Sequence, residues 1–139
     1  MRPRPTLHVR RDGNIVVRNA RVCRDGSFPG REPGERMCIA PDALRRAVAK
    51  FNLVPIVVDH ICTPTRIVGC AMDRARYEDG FVYQDLLLWH PKMLEILKLG
   101  RQISPSLHYL VDRGVVTDIK SVNHLSLGER GRLGPEISL

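Results

Sequence analysis

Short apolar runs separated by turn dipeptides set the strongest limit on what this chain can fold into. Leu7 to Arg10 and Ile15 to Arg18 flank Asp12-Gly13-Asn14, Glu78-Asp79-Gly80 precedes an apolar run over 81 to 88, and Asp112-Arg113-Gly114 joins two further runs. Asp-Gly and similar pairs supply the positive φ that tight hairpins require, so such signals between alternating segments predict strands folded back on their neighbours. Other strands are expected near 54 to 59, 66 to 77, 102 to 111, 115 to 122 and 124 to 128. Only two segments carry a helical pattern. Asp42 to Phe51 places Leu44, Ala47, Val48 and Phe51 on one face, and Pro91 to Leu99 has Pro in its first turn with Gly100 past its end. Ser27 to Gly34, with two prolines and two glycines, reads as a surface loop. The pattern predicts a mainly β, α+β domain over residues 1 to 139: a small antiparallel barrel, closed or partly open, with two short helices packed outside.

With 139 residues, 43% of them hydrophobic, the chain can build one core but not two ordinary ones. No apolar stretch approaches the roughly 18 residues that cross a bilayer, and the Arg-Pro-rich start lacks the hydrophobic region of a secretory signal. A soluble, intracellular protein with no membrane partner is expected. Cys23, Cys38, Cys62 and Cys70 form no close Cys-x-x-Cys pair, so free thiols are the default. His60, Cys62 and Cys70 offer the one grouping that resembles a ligand set, and neither a metal nor another cofactor is expected from it.

The net charge of +7 is unevenly placed. Residues 1 to 50 hold 12 Lys and Arg against 5 Asp and Glu, whereas the rest hold 10 against 10. Arginine clustered in this way suits nucleic acid, an acidic scaffold, or a solvated outer face. Few aromatics are interleaved, which favours the solvated face and leaves a basic nucleic-acid-binding barrel as the lesser alternative.

Three residues near strand edges carry possible chemistry: His60 after the run Val54-Pro55-Ile56-Val57-Val58-Asp59, Ser104 in Gln102-Ile103-Ser104-Pro105-Ser106-Leu107, and His124 in Asn123-His124-Leu125-Ser126-Leu127-Gly128. A serine hydroxyl is a poor nucleophile at neutral pH and needs an imidazole to accept its proton. That imidazole must be held in one orientation, which a second imidazole can do less strongly than a carboxylate. Taken singly, each residue has an ordinary structural reading: a histidine at a strand end caps a loop, and serine before proline sits in turns. Ser104, Ser106 and His108 share one face of their strand, which makes His108 a competitor of His60 as base. His108 lies about 7 Å from Ser106 along the strand, beyond a hydrogen bond. Asp59, directly before His60, would point to the opposite face of an extended strand. His8 and His90 read as surface or capping residues.

The order His60, Ser104, His124, with His124-Leu125-Ser126-Leu127 running into the turn at Arg130-Gly131-Arg132, resembles the assemblin-type serine proteases. These include herpesvirus assemblin and the prohead maturation proteases of tailed bacteriophages, and the phage branch is the closer likeness. Ile67-Val68-Gly69-Cys70 resembles the family's "V-G-x-V" strand, Tyr83 to Leu88 and His90 to Gly100 resemble the strand and helix before the family's serine, and Ile119 to Leu139 resembles its closing strand pair. Many relatives have Ser-x-Gly-aromatic where this chain has Ser104-Pro105-Ser106-Leu107, a departure that keeps Ser106 as the alternative nucleophile, and herpesvirus members have Gly-Arg-Arg where it has Gly131-Arg132-Leu133.

The resemblance implies an assemblin-like barrel and a prohead protease that forms an acyl-enzyme on Ser104. His60 would be base and then acid, His124 its orienter, and the backbone at Gly131 and Arg132 would bind oxyanion or substrate. Scaffold and major capsid proteins would be the substrates, inside the immature capsid in the host cytoplasm, with a homodimer or higher oligomer as a possible assembly. The chain would be either a complete protease or the protease part of a longer protease-scaffold polypeptide. The rival reading within the same fold is an inactive structural or scaffolding component of the phage head.

Overall fold

The computed structural model describes residues 4–30, 32–59, 66–89, 93, 102–128, 133, 134 and 137. In chain order they form β1 (Thr6–Val9), β2 (Ile15–Arg24), β3 (Gly26–Pro29), β4 (Arg36–Ile39), helix α1 (Pro41–Ala47) with a following 3-10 turn (Val48–Phe51), β5 (Pro55–Val58), β6 (Ile67–Ala71), β7 (Arg76–Glu78), β8 (Phe81–Leu88), β9 (Gln102–Asp112) and β10 (Val115–Gly128). The β7–β8 and β9–β10 hairpins are tight because both turn residues take positive φ: 49° and 86° at Asp79 and Gly80, 52° and 79° at Arg113 and Gly114. Two such residues match the right-handed twist of the strands they join.

Of the closed or partly open antiparallel barrel expected, the open form is found and the all-antiparallel pairing is corrected. The strands run β1-β2-β8-β6-β5-β10-β4-β3, with β7 also on β8 and β9 also on β10, so among the described residues the ladder does not close. It is also mixed, because β4 and β5 both lie parallel to β10. β10 is long enough to take β4 beside Val115 and Val116 and β5 beside Leu125 to Leu127 on one edge. Both run in the same direction along that edge, so no tight turn can join them, and α1 with its 3-10 turn carries the chain from β4 to β5. Along the stretch of β10 that neither strand reaches, Arg46 Nη2 donates to the Thr117 carbonyl and Lys50 Nζ to that of Ile119, each at 2.8 Å. Those side chains satisfy acceptors that a strand would otherwise occupy.

Other expected boundaries also shift. Residues 115 to 128 form one strand, not two, with register shifts between Val116 and Asp118, Ile119 and Ser121, and Val122 and His124. Each shift sets one extra residue of β10 against β9, which bends the pair without ending it. The span 66 to 77 is divided between β6 and β7, with Arg74 between them at φ 64°. Ser27 to Gly34 is not all loop, since Phe28 pairs with Met37 and both are buried. Of the second expected helix, only Met93, a buried residue, lies within the described set.

The core joins β2 (Val17, Val22), α1 (Leu44, Ala47), Phe51, β5 (Ile56), β8 (Val82, Leu86, Leu88) and β10 (Ile119, Leu125). Gly69 explains the family-like Val-Gly on β6. A Cβ there would run into the Leu87 carbonyl of β8, so only glycine permits this close approach. Arginines of the basic first 50 residues, and Arg76 beyond them, are not simply a solvated face. Arg21 stacks over Phe81 (4.9 Å), Arg45 over Tyr77 (5.3 Å) and Arg76 over Tyr83 (5.2 Å), shielding aromatic faces from water. No helix among the described residues is long and apolar enough to cross a membrane.

Candidate active site

β9 and β10 carry the site. On β9, Ile103 is buried and Leu107 and Tyr109 pack against the core, which turns Ser104, Ser106 and His108 to the other face. A proline is tolerated in the middle of this strand for a related reason. The N–H of Ile103 donates to the Ile137 carbonyl (2.8 Å), not to β10, so residue 105 also has its nitrogen on the outer edge, where no ladder bond is lost.

The register brings the polar residues together. Ser106 is opposite His124, Ser104 is opposite Ser126, and Ser126 is in turn opposite Val57 of β5. Val57, Ser126 and Ser104 thus form a row across three strands. Partners of this kind place Cβ atoms about 5 Å apart and diagonal neighbours about 7 Å apart. His124 therefore lies nearer Ser106 than Ser104. His124 (6% exposed) and Ser126 (1%) are buried although they share the face of Ser104 and Ser106, which are half-buried.

His124 is oriented by its own neighbour. Its Nδ1 lies 2.7 Å from Asn123 Oδ1, an atom that only accepts, so Nδ1 carries the proton and Nε2 is the acceptor nitrogen of the neutral ring. A ring in that tautomer can accept an N–H from a second imidazole, which is what a histidine orienter must do. Asn123 and the buried Ser126 join the candidate residues, although the sequence does not single them out. Nothing in the sequence marks Asn123, because its place is set by pairing with β9: the register shift between Val122 and His124 makes it the extra residue of β10.

His60, Gly131 and Arg132 lie outside the described residues, as does Cys62. What precedes His60 is described. The Asp59 N–H donates to the Leu127 carbonyl (3.0 Å), one residue past Ser126, and the strand stops at Val58. Asp59 takes φ 53°, so the expectation that it points away by strand alternation is corrected: the residue is not extended. It is exposed, where water screens its charge. His108 is exposed too and faces Ser121. Among the described residues no three His, Cys, Asp or Glu side chains come together.

No protein-family model matches the chain, and no curated protein is similar to it in sequence. The architecture is assemblin-like. It is similar to a room-temperature crystal structure of the Kaposi's sarcoma-associated herpesvirus protease in complex with an allosteric inhibitor, with a TM-score of 0.50 over 86% of this chain and 73% of that one. At 16% identity the likeness is one of fold.

Proposed function

We propose that the chain is a serine endopeptidase of the prohead-maturation type, cleaving scaffold and capsid proteins of a tailed phage inside the immature capsid. Ser104 Oγ attacks the scissile carbonyl while His60 takes its proton, and His60 then returns a proton to the leaving amine. Water hydrolyses the acyl-enzyme by the same route in reverse. His124 orients His60, and the backbone at Gly131 and Arg132 donates to the oxyanion. The supporting observation is the row Val57–Ser126–Ser104, with the β5 end that leads into His60 bonded to Leu127 beside it. That row favours Ser104 as the partner of His60, while Ser106 lies closer to His124.

Labelling with a fluorophosphonate probe, mapped by mass spectrometry, tests this reading. The expected adduct is on Ser104, lost in Ser104→Ala with the fold retained, and its rate falls as pH drops through about 6.5, the imidazole range. An adduct that survives Ser104→Ala but not Ser106→Ala moves the nucleophile to Ser106. A flat rate from pH 5 to 8 argues against a histidine base, and no adduct at either serine favours the inactive structural component.

A further inference from the structure

Arg24, the last residue of β2, spends its guanidinium on three backbone carbonyls. Nε donates to Leu133 (2.7 Å), Nη1 to Asp25 (3.0 Å) and Nη2 to Ser27 (3.0 Å). Asp25 and Ser27 belong to the same bend of chain, so they hold the guanidinium plane while Nε reaches a residue 109 positions away. From Leu133 the connection continues through backbone. The Ile137 N–H donates to the Gly134 carbonyl (3.2 Å), and the Ile103 N–H donates to the Ile137 carbonyl (2.8 Å). Leu133 and Ile137 are 6% and 0% exposed and pack in the core. Ile103 directly precedes Ser104.

These contacts lie where the sheet, among the described residues, does not close. Among the described residues β2 and β9 approach one another without sharing a ladder, and a strap made by Leu133, Gly134 and Ile137 joins the end of the first to the start of the second. An edge strand with unsatisfied outward donors opens readily. Pro105 has no N–H, so the Ile103 amide is the outward donor next to Ser104. Ile137 satisfies it.

We propose that Arg24 is a positioning residue for Ser104, acting through Leu133, Ile137 and the Ile103 amide; this rests on the reading of Ser104 as nucleophile. The planar fork suits the task because it holds several acceptors in fixed directions, whereas a lysine ammonium on a flexible stem is a point donor. Misplacement of a reacting group by about 1 Å can slow a reaction up to about a hundredfold.

The test compares wild type, Arg24→Lys and Arg24→Gln by amide hydrogen exchange and by fluorophosphonate labelling over a range of probe concentrations. In both variants the Ile103 amide is expected to exchange about tenfold faster, while Val82 in the core keeps its protection. The limiting labelling rate is expected to fall about tenfold in Arg24→Gln and less in Arg24→Lys, with the half-saturating probe concentration unchanged. Ile103 protection equal to wild type in both variants overturns the proposal, as does a labelling loss carried by weaker probe binding alone. If wild type takes no label, the endopeptidase reading fails and Arg24 with it as a positioning residue; faster Ile103 exchange in the variants would then show a strap serving the fold alone.

Discussion

Ser106 of β9 and His124 of β10 are cross-strand partners, and two residues along the same pair Ser104 faces Ser126. The serine assigned to attack is therefore not the one directly opposite His124. That arrangement fits a division of labour in which His124 holds another imidazole and does not itself take the serine proton. It also makes the two histidines unequal in their expected mutational effects.

His124→Ala is expected to slow labelling of Ser104 by about 10- to 1000-fold without abolishing it, because base and nucleophile remain but the base loses its orientation. Asn123→Ala should produce a smaller loss, since it frees the His124 ring to change tautomer while keeping the ring. Asp59→Asn should do least, its side chain being exposed. Rates measured on the three purified variants check the ranking; an inactive Asp59→Asn beside an unaffected His124→Ala would overturn the Ser-His-His assignment.

Tyr77 predicts a loss of stability in alkali. Burial, and then the hydrogen bond its hydroxyl donates to Asp25, push its pKa from 10.0 up to about 12. Between pH 10 and 12 the unfolded chain gives up the phenolic proton that the folded chain keeps, so this contribution is complete below pH 10 and is lost as pH rises to 12. Tyr77→Phe should cost about 1 kcal/mol at pH 7 and flatten the decline above pH 10. Urea unfolding at a series of pH values measures both; an unchanged alkaline slope in Tyr77→Phe would show that another group is responsible.

Thiol reactivity separates the cysteines by burial. Cys23 is fully buried and its thiol is pushed up to about 12, chiefly by desolvation. At pH 8 such a thiol has on the order of a thousandfold less thiolate than an ordinary cysteine. Alkylation of the folded protein should therefore modify Cys38, which is half-buried, long before Cys23. Cys70, also half-buried and raised by desolvation, should follow Cys38. Peptide mapping of a time course gives the order, and early modification of Cys23 would mean that the β2 end opens in the native state.

What could be read from the sequence was mostly local. Asp79-Gly80 and Asp112-Arg113-Gly114 announce their turns because glycine takes positive φ without steric cost, and β8 was legible as residues 81 to 88 because its apolar run follows a turn. Helix α1 showed itself by Leu44 and Ala47 on one face. The alternation of β9 likewise put Ser104 and Ser106 on a common face before any partner strand was known. The opposing strands were another matter. Which residue meets Ser104 depends on three extra residues accommodated along β10, and nothing in the order of residues 115 to 128 says where a bulge falls. Phe28 against Met37 was hidden because prolines and glycines around 27 to 34 mimic a loop, while the burial of both side chains made a hairpin. The parallel placement of β4 and β5 on one edge of β10, and the strap from Arg24 to Ile103 where the sheet stays open, were decided by tertiary structure. Such contacts join residues tens of positions apart, and their stability comes from buried area and backbone pairing that exist only once the strands have met.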